Sequence, residues 1–186
     1  MTRKMKQITT LFVSLSFSAA ALASDATTSA TAGSNLWQRN GTANATANYN
    51  GQIGFARTQA NSGRVNSARG VAVGVDRDGI SLSVSNAVAS RFGPAVATNF
   101  NMTIGRNGEV ARSGGISVAN GPLQRSATAG GTSGVTRGVP HATAQATGTS
   151  DRFGRVQSNV HAKTTRAYRR APVRYASPSR RVILRR

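Results

Sequence analysis

Few residues in this sequence have the chemistry of an active site. Histidine occurs twice, at His141 and His161, in Val-Pro-His and Val-His-Ala settings. Neither has a ligating partner one helical turn away or the Cys, Asp or Glu company of a metal site. Asp76 and Asp78 alternate as the oxygen ligands of a calcium loop do, but the rest of that ligand set is missing. Asp76-Arg77-Asp78-Gly79 reads instead as a hairpin turn. Serines are abundant, yet no Gly-x-Ser-x-Gly elbow occurs, and a triad needs a positioned His and acid. The glycines are spaced as turns and form no phosphate-binding loop. Cysteine is absent, which excludes a disulfide framework and a thiolate site. The residues lead to the expectation of a non-enzymatic protein with no cofactor and no metal.

The remaining chemistry is cationic. The chain has 24 Lys and Arg against 5 Asp and Glu, a formal charge of +19. Eight arginines crowd the last residues without a single acid: Arg166, Arg169, Arg170, Arg174, Arg180, Arg181, Arg185 and Arg186. Pro172 and Pro178 break any long helix there, and Tyr168 and Tyr175 are interleaved. The segment 164–186 therefore reads as a disordered Arg-rich tail. Guanidinium groups pair bidentately with phosphates, sulfates and carboxylates, and tyrosines between them suit base stacking. The expected partner is a polyanion: lipopolysaccharide, acidic polysaccharide, anionic lipid or extracellular nucleic acid.

The opposite end carries an address. Arg3, Lys4 and Lys6 precede an apolar run from Ile8 to Leu22, and Ala21-Leu22-Ala23 has the small-x-small form of a cleavage site. That order is a secretory signal peptide over 1–23, so the chain is expected to be exported to the periplasm, cell surface or extracellular space. No later stretch is apolar enough for a transmembrane helix.

Between the two ends, composition and pattern disagree. Val, Ile, Leu and Phe make up roughly 17% of the chain after residue 23, below the ~20% at which composition and charge favour disorder. Yet from Val71 to Val118 large apolar residues recur at every second position, the period of a strand. Opposed residues in a hairpin have a constant index sum, which makes register testable. Folding at Asp76–Gly79 sets Val75 against Ile80, Val73 against Leu82 and Val71 against Val84. Folding at Arg91–Gly93 sets Val88 against Val96, Val84 against Phe100 and Asn86 against Thr98. Folding at Arg106–Gly108 sets Ile104 against Val110 and Phe100 against Gly114, where the ring covers bare backbone. All three turns put the apolar residues on one face, and a one-residue slip in any of them would undo this.

Farther out, folding at Asn50-Gly51-Gln52 pairs Tyr49 with Ile53 and Ala47 with Phe55. Folding at Asn61–Gly63 brings Ile53 to Val71 and Phe55 to Arg69, a cation–π pair. A last hairpin at Asp151–Gly154 sets Ala144 against Val160. Its Arg-Phe-Gly triplet repeats Arg91-Phe92-Gly93, an echo that reads as reused hairpin chemistry. Asn40, Asn44 and Asn101 each open a glycosylation sequon.

The other face of the meander is almost entirely Ala, Ser, Gly, Asn and Thr, without a charge. Such a face either lets another sheet approach closely or stands as a flat solvated surface. The expected fold is all-β, an antiparallel up-and-down meander of about 8–9 strands over 42–163, with 24–41 as a flexible lead. Open sheet, sandwich and barrel all fit. The leading function is a secreted surface or matrix protein that binds polyanions through its tail. The alternatives are a self-assembling β protein, associating through its sheet edges as an amyloid-like adhesin or matrix fibre, and a small outer-membrane barrel.

Overall fold

The computed structural model describes residues 25–37 and 41–165. The expected leader at 1–23 and the arginines of 166–186 lie outside the described residues. Ten antiparallel strands run as β1 (Asp25–Asn35), β2 (Thr42–Asn50), β3 (Ile53–Asn61), β4 (Val65–Asp76), β5 (Gly79–Ser90), β6 (Ala95–Gly105), β7 (Val110–Asn120), β8 (Gln124–Thr136), β9 (Val139–Ser150) and β10 (Arg155–Thr165). They form two sheets in the orders β2-β1-β8-β9 and β10-β7-β6-β5-β4-β3. The smaller sheet lies across the larger, with β1 over β4 and β5, β8 over β5 and β6, and β9 over β6 and β7. The choice between open sheet, sandwich and barrel is thus settled as a two-sheet sandwich.

The meander β3 to β7 is the frame, and its three central hairpins have the expected register. Val75 faces Ile80, Val84 faces Phe100, Asn86 faces Thr98, Ile104 faces Val110 and Phe100 faces Gly114. At the Arg106–Gly108 turn, Gly108 takes φ 75° and donates to Gly105 O at 2.9 Å, a bulged loop that needs glycine there.

The outer pairings differ from expectation. In the β3–β4 hairpin Ile53 faces Val75 and Phe55 faces Val73, while Arg69 faces Gln59, so Phe55 and Arg69 do not pair. The turn sits later in the chain because Asn66 is drawn into it. Its Oδ1 accepts from Gly63 N at 2.9 Å, and its Nδ2 donates to Gly33 O of the other sheet at 3.0 Å. Tyr49 pairs with Ala26 and not with Ile53, and Val160 pairs with Gly115 and not with Ala144. Both connections carry the chain from one sheet to the other, since the small face of the meander has to be covered by strands from elsewhere. The segment 24–41, read as a flexible lead, contains β1, an interior strand bonded to β2 and β8 along its length. Its Thr-Ala alternation lacks the large apolar residues that signal a strand.

The interior is the small-residue face. The buried apolar residues among those described are alanines, except Val135 and Pro140 and apart from glycine. Between the alanines, hydroxyl and amide side chains reach the backbone of the opposite sheet in one step. Ser133 Oγ donates to Leu82 O at 2.8 Å, Thr103 Oγ1 to His141 O at 2.8 Å and Asn101 Nδ2 to Thr143 O at 2.9 Å. Thr28 and Ser83 hydroxyls meet at 2.8 Å. Asn101, one of the three sequons, is fully buried in this network. Glycine permits a close approach at Gly131, where a Cβ would stand 2.3 Å from both Asn101 Nδ2 and Thr143 O. The large residues hydropathy alone would bury point outward from the six-stranded sheet: Ile80 is 46% exposed and Phe100 43%.

Enlarging an inward residue should therefore cost more than enlarging an outward one. Ala129→Leu, at a fully buried position of β8, is expected to lose about 1–3 kcal/mol of stability by overpacking. Thr27→Leu, on the exposed side of β1, should stay within about 0.5 kcal/mol of the parent. Urea denaturation of the two variants checks this.

Candidate functional site

Five connections lie at the end of the sandwich where β1, β3, β5, β7 and β9 finish, and four of them gather around one hollow. These four are the chain after Asn35, the Arg91–Pro94 turn, the Gly121–Leu123 turn and the Asp151–Gly154 turn. Two buried or hydrogen-bonded ions fix them together. Arg125, near the start of β8, is 6% exposed. Its Nε donates to Ser34 Oγ at 3.0 Å, its Nη2 to Ser90 O at 3.0 Å and to Arg91 O, and its Nη1 to Gly121 O. One guanidinium thereby staples β1, β5 and two turns, using the fan of donors that only arginine has.

Asp151 does the complementary work. Its Oδ2 accepts from Leu123 N and Gln124 N, and its Oδ1 accepts from Phe153 N at 3.0 Å. Desolvation on its own pushes the carboxyl up, but the three backbone N–H groups and the Arg125 charge outweigh it and hold the pKa below the usual carboxylate range.

On this scaffold sits an open hollow of about 570 Å³, lined by Leu36, Arg91, Phe92, Asn120, Pro122, Arg125, Phe153 and Arg155. Phe92 is 87% exposed and Phe153 75%. The Arg91 guanidinium lies 5.6 Å from the centre of the Phe92 ring and that of Arg152 lies 5.9 Å from Phe153. Arg91 also donates from Nη2 to Leu36 O at 3.1 Å, and the neighbouring Trp37 stands 80% exposed. Aromatic rings turned to water thus stand beside guanidinium groups, the first able to stack on a flat or apolar group and the second able to pair with an anion. The two Arg-Phe-Gly turns were legible as an echo in the sequence. What the echo did not show is that both turns rim one hollow.

The residues weighed as chemistry in the sequence lie elsewhere. The expected polyanion-binding arginines, 166–186, are outside the described residues; the last described residue, Thr165, pairs with Val110 at the end of the sandwich away from the hollow. His141 Nε2 is 3.9 Å from Asp25 Oδ1 at that same far end, where burial raises the Asp25 pKa against the pull of His141. His161 packs beside Gly114 on the six-stranded sheet. Asp76 turns back to accept from Arg77 N at 2.6 Å. Among the described residues no three His, Asp or Glu converge. No protein-family model, curated protein or solved structure matches the chain.

The geometry makes two statements that mutation can check. Arg125→Met leaves three turn carbonyls without their donor and should cost about 2–3 kcal/mol in chemical denaturation, since hydrogen bonds to a charged group are worth ~1.5–3 kcal/mol each. For Asp151, a pKa lowered in the folded state contributes stability above the ordinary carboxylate range and loses it as pH falls through the lowered value. Asp151→Asn is accordingly expected to be less stable than the parent at neutral pH, with the difference closing on acidification. Thermal unfolding across that range reads it.

Proposed function

We propose that this chain is an exported, non-enzymatic surface or matrix protein that binds polyanions through arginine. Two places carry the cations: the eight arginines of 166–186 and the hollow flanked by Arg91 and Arg155. The observation that carries the reading is the hollow itself. Its guanidinium groups stand beside exposed Phe92 and Phe153, and its only nearby acid, Asp151, is spent on backbone N–H groups. Stacking rings and guanidinium forks together suit a polymer that repeats a negative charge next to a flat unit, as nucleic acids and acidic glycans do.

A second reading, edge-to-edge self-assembly into a fibre, has β10 in its favour, an eleven-residue edge strand exposed throughout. A membrane-spanning barrel fits less well, because the outer side of the β2-β1-β8-β9 sheet is Thr27, Ser29, Thr31, Thr128, Thr147 and their like, and not an apolar band.

Retention on heparin and on DNA tests the proposal. The full chain should elute at higher salt than a chain ending at Thr165, and Arg91→Gln with Arg155→Gln should lower the elution point further. On duplex DNA each lost phosphate contact should reduce the salt slope by about 0.9. Equal elution of full and shortened chains would remove the tail from the account, and equal elution of the Gln variants would remove the hollow. A thioflavin response with growing fibres would favour the second reading.

A further inference from the structure

The outer side of the six-stranded sheet is left without a cover. On strands β3 to β7 it carries valines, isoleucines, Leu82, Met102 and two phenylalanines; one rung runs Phe55, Val73, Leu82, Met102, and a polar rung of Gln59, Arg69, Asn86 and Thr98 crosses the face. Ile53 is 72% exposed and Ile116 45%. No acid lies on these rungs, and the arginines keep to the flanks: Arg57 and Arg69 on β3 and β4, Arg112 on β7. Strand β10 closes one side with a polar border of Gln157, Asn159, His161 and Lys163.

We infer that this face is the contact surface of a face-to-face dimer with a second copy of the chain. The inference stands apart from polyanion binding, which uses the loop end and the tail. Its first support is size. Five strands at ~4.8 Å spacing and about 30 Å long make a face of roughly 700 Å². About a third of its outward positions are polar, so its apolar part is comparable to the largest apolar patch of a typical monomer, ~300–600 Å², while the whole face approaches the ~800 Å² that each partner buries in a standard stable interface.

Its second support is shape. Valine and isoleucine on a continuous sheet are the residues with which two sheets ordinarily interdigitate. The sandwich has spent its small residues on its own interior and kept these outside.

Its third support is the placement of charge. A two-fold axis along the strands, between β5 and β6, lays β4 over β7 of the partner copy. Arg69 shares its rung with Ile116, and Arg112 shares its rung with Val73. Arg69 and Arg112 then each meet an apolar residue of the other copy, and Arg57 on the edge strand β3 falls opposite His161 of β10 and not another arginine. Arg69 and Arg112 lie close enough to the border for the guanidinium to reach water while its stem covers apolar surface. The contact is isologous and closed, so it ends at two copies and builds no fibre.

Sedimentation velocity on the full exported chain tests this, with Val88→Lys and Ile116→Lys as face variants and Thr27→Lys on the other sheet as control. Both face positions are already part-exposed, so the fold should survive, and far-UV circular dichroism checks it. The parent and T27K should be dimers, and the dissociation constant should rise by roughly tenfold or more in V88K and I116K. Because the sequence has no cysteine, a single Val84→Cys gives a second readout that does not perturb charge. A bis-maleimide should cross-link V84C into covalent dimers much faster than Thr27→Cys. A monomeric parent, dimers that persist in both face variants, or equal cross-linking of the two cysteines would overturn the inference. So would a monomer that binds anionic vesicles and loses that binding in I116K, since lipid would then be what the face meets.

Discussion

The rest of this structure depends on side chains short enough to join two backbones. Ser133, Thr103, Asn101 and Asn66 each span from one sheet to a carbonyl of the other with a single hydrogen bond. A carbonyl oxygen has two lone pairs, so it can accept such a bond without giving up a place in its own ladder. A buried hydroxyl must find a partner or cost stability, and here the partner is fixed in space on a neighbouring layer. The relative register of the sheets is therefore specified from both sides. A slip of one residue would turn every inward hydroxyl to solvent and bring valines into a gap sized for alanine.

From that constraint the surface follows. With the interior reserved for small residues, the branched and aromatic side chains of β3 to β7 have only the outer side available. The smaller sheet, which has Ala, Ser and Thr on its inner side, presents threonine and asparagine outward. Hydroxyl pairs link its neighbouring strands, as between Thr31 and Thr128 at 3.0 Å and between Thr132 and Thr143 at 2.6 Å. The molecule thus has one apolar side, one hydroxyl side and one cationic aromatic end. The turns of that end are fixed by Arg125 and Asp151 and not by packing, since the large side chains there, Phe92 and Phe153, stay exposed.

The sequence was most informative where turn chemistry and hydropathy agreed. Asp76–Gly79, Arg91–Gly93 and Arg106–Gly108 each fold where index sums predict, because a wrong register there would split a dense apolar pattern. It was least informative where one side chain decided. Asn66 moves the β3–β4 register by bonding to Gly33, more than thirty residues earlier, and local pattern holds no trace of that bond. Strand β1 was missed for a related reason: Thr-Ala alternation looks like a polar linker until a second small-residue layer lies against it. The turns from β2 to β3 and from β9 to β10 look like ordinary hairpins, and only the need to cover the small face sends their strands into different sheets. The hollow shows the same division. Its Arg-Phe-Gly turns could be seen in the sequence, but the clamp residues Arg125 and Asp151 could not, since an isolated Arg and Asp carry no signature of the contacts they make.

An alanine interior also changes what genetic drift can do to this protein. In an ordinary core, substitutions that shrink a side chain are the common injury, and neighbours relax partly into the space. Here the inward residues stand near the lower limit of side-chain size, so most available replacements enlarge them and meet backbone that has nowhere to go. The inner sequence should stay confined to a few letters over long divergence, while outward positions exchange valine, isoleucine and leucine freely. Relatives of such a protein would keep the rhythm of Ala, Ser, Gly and Thr after most other resemblance had been lost.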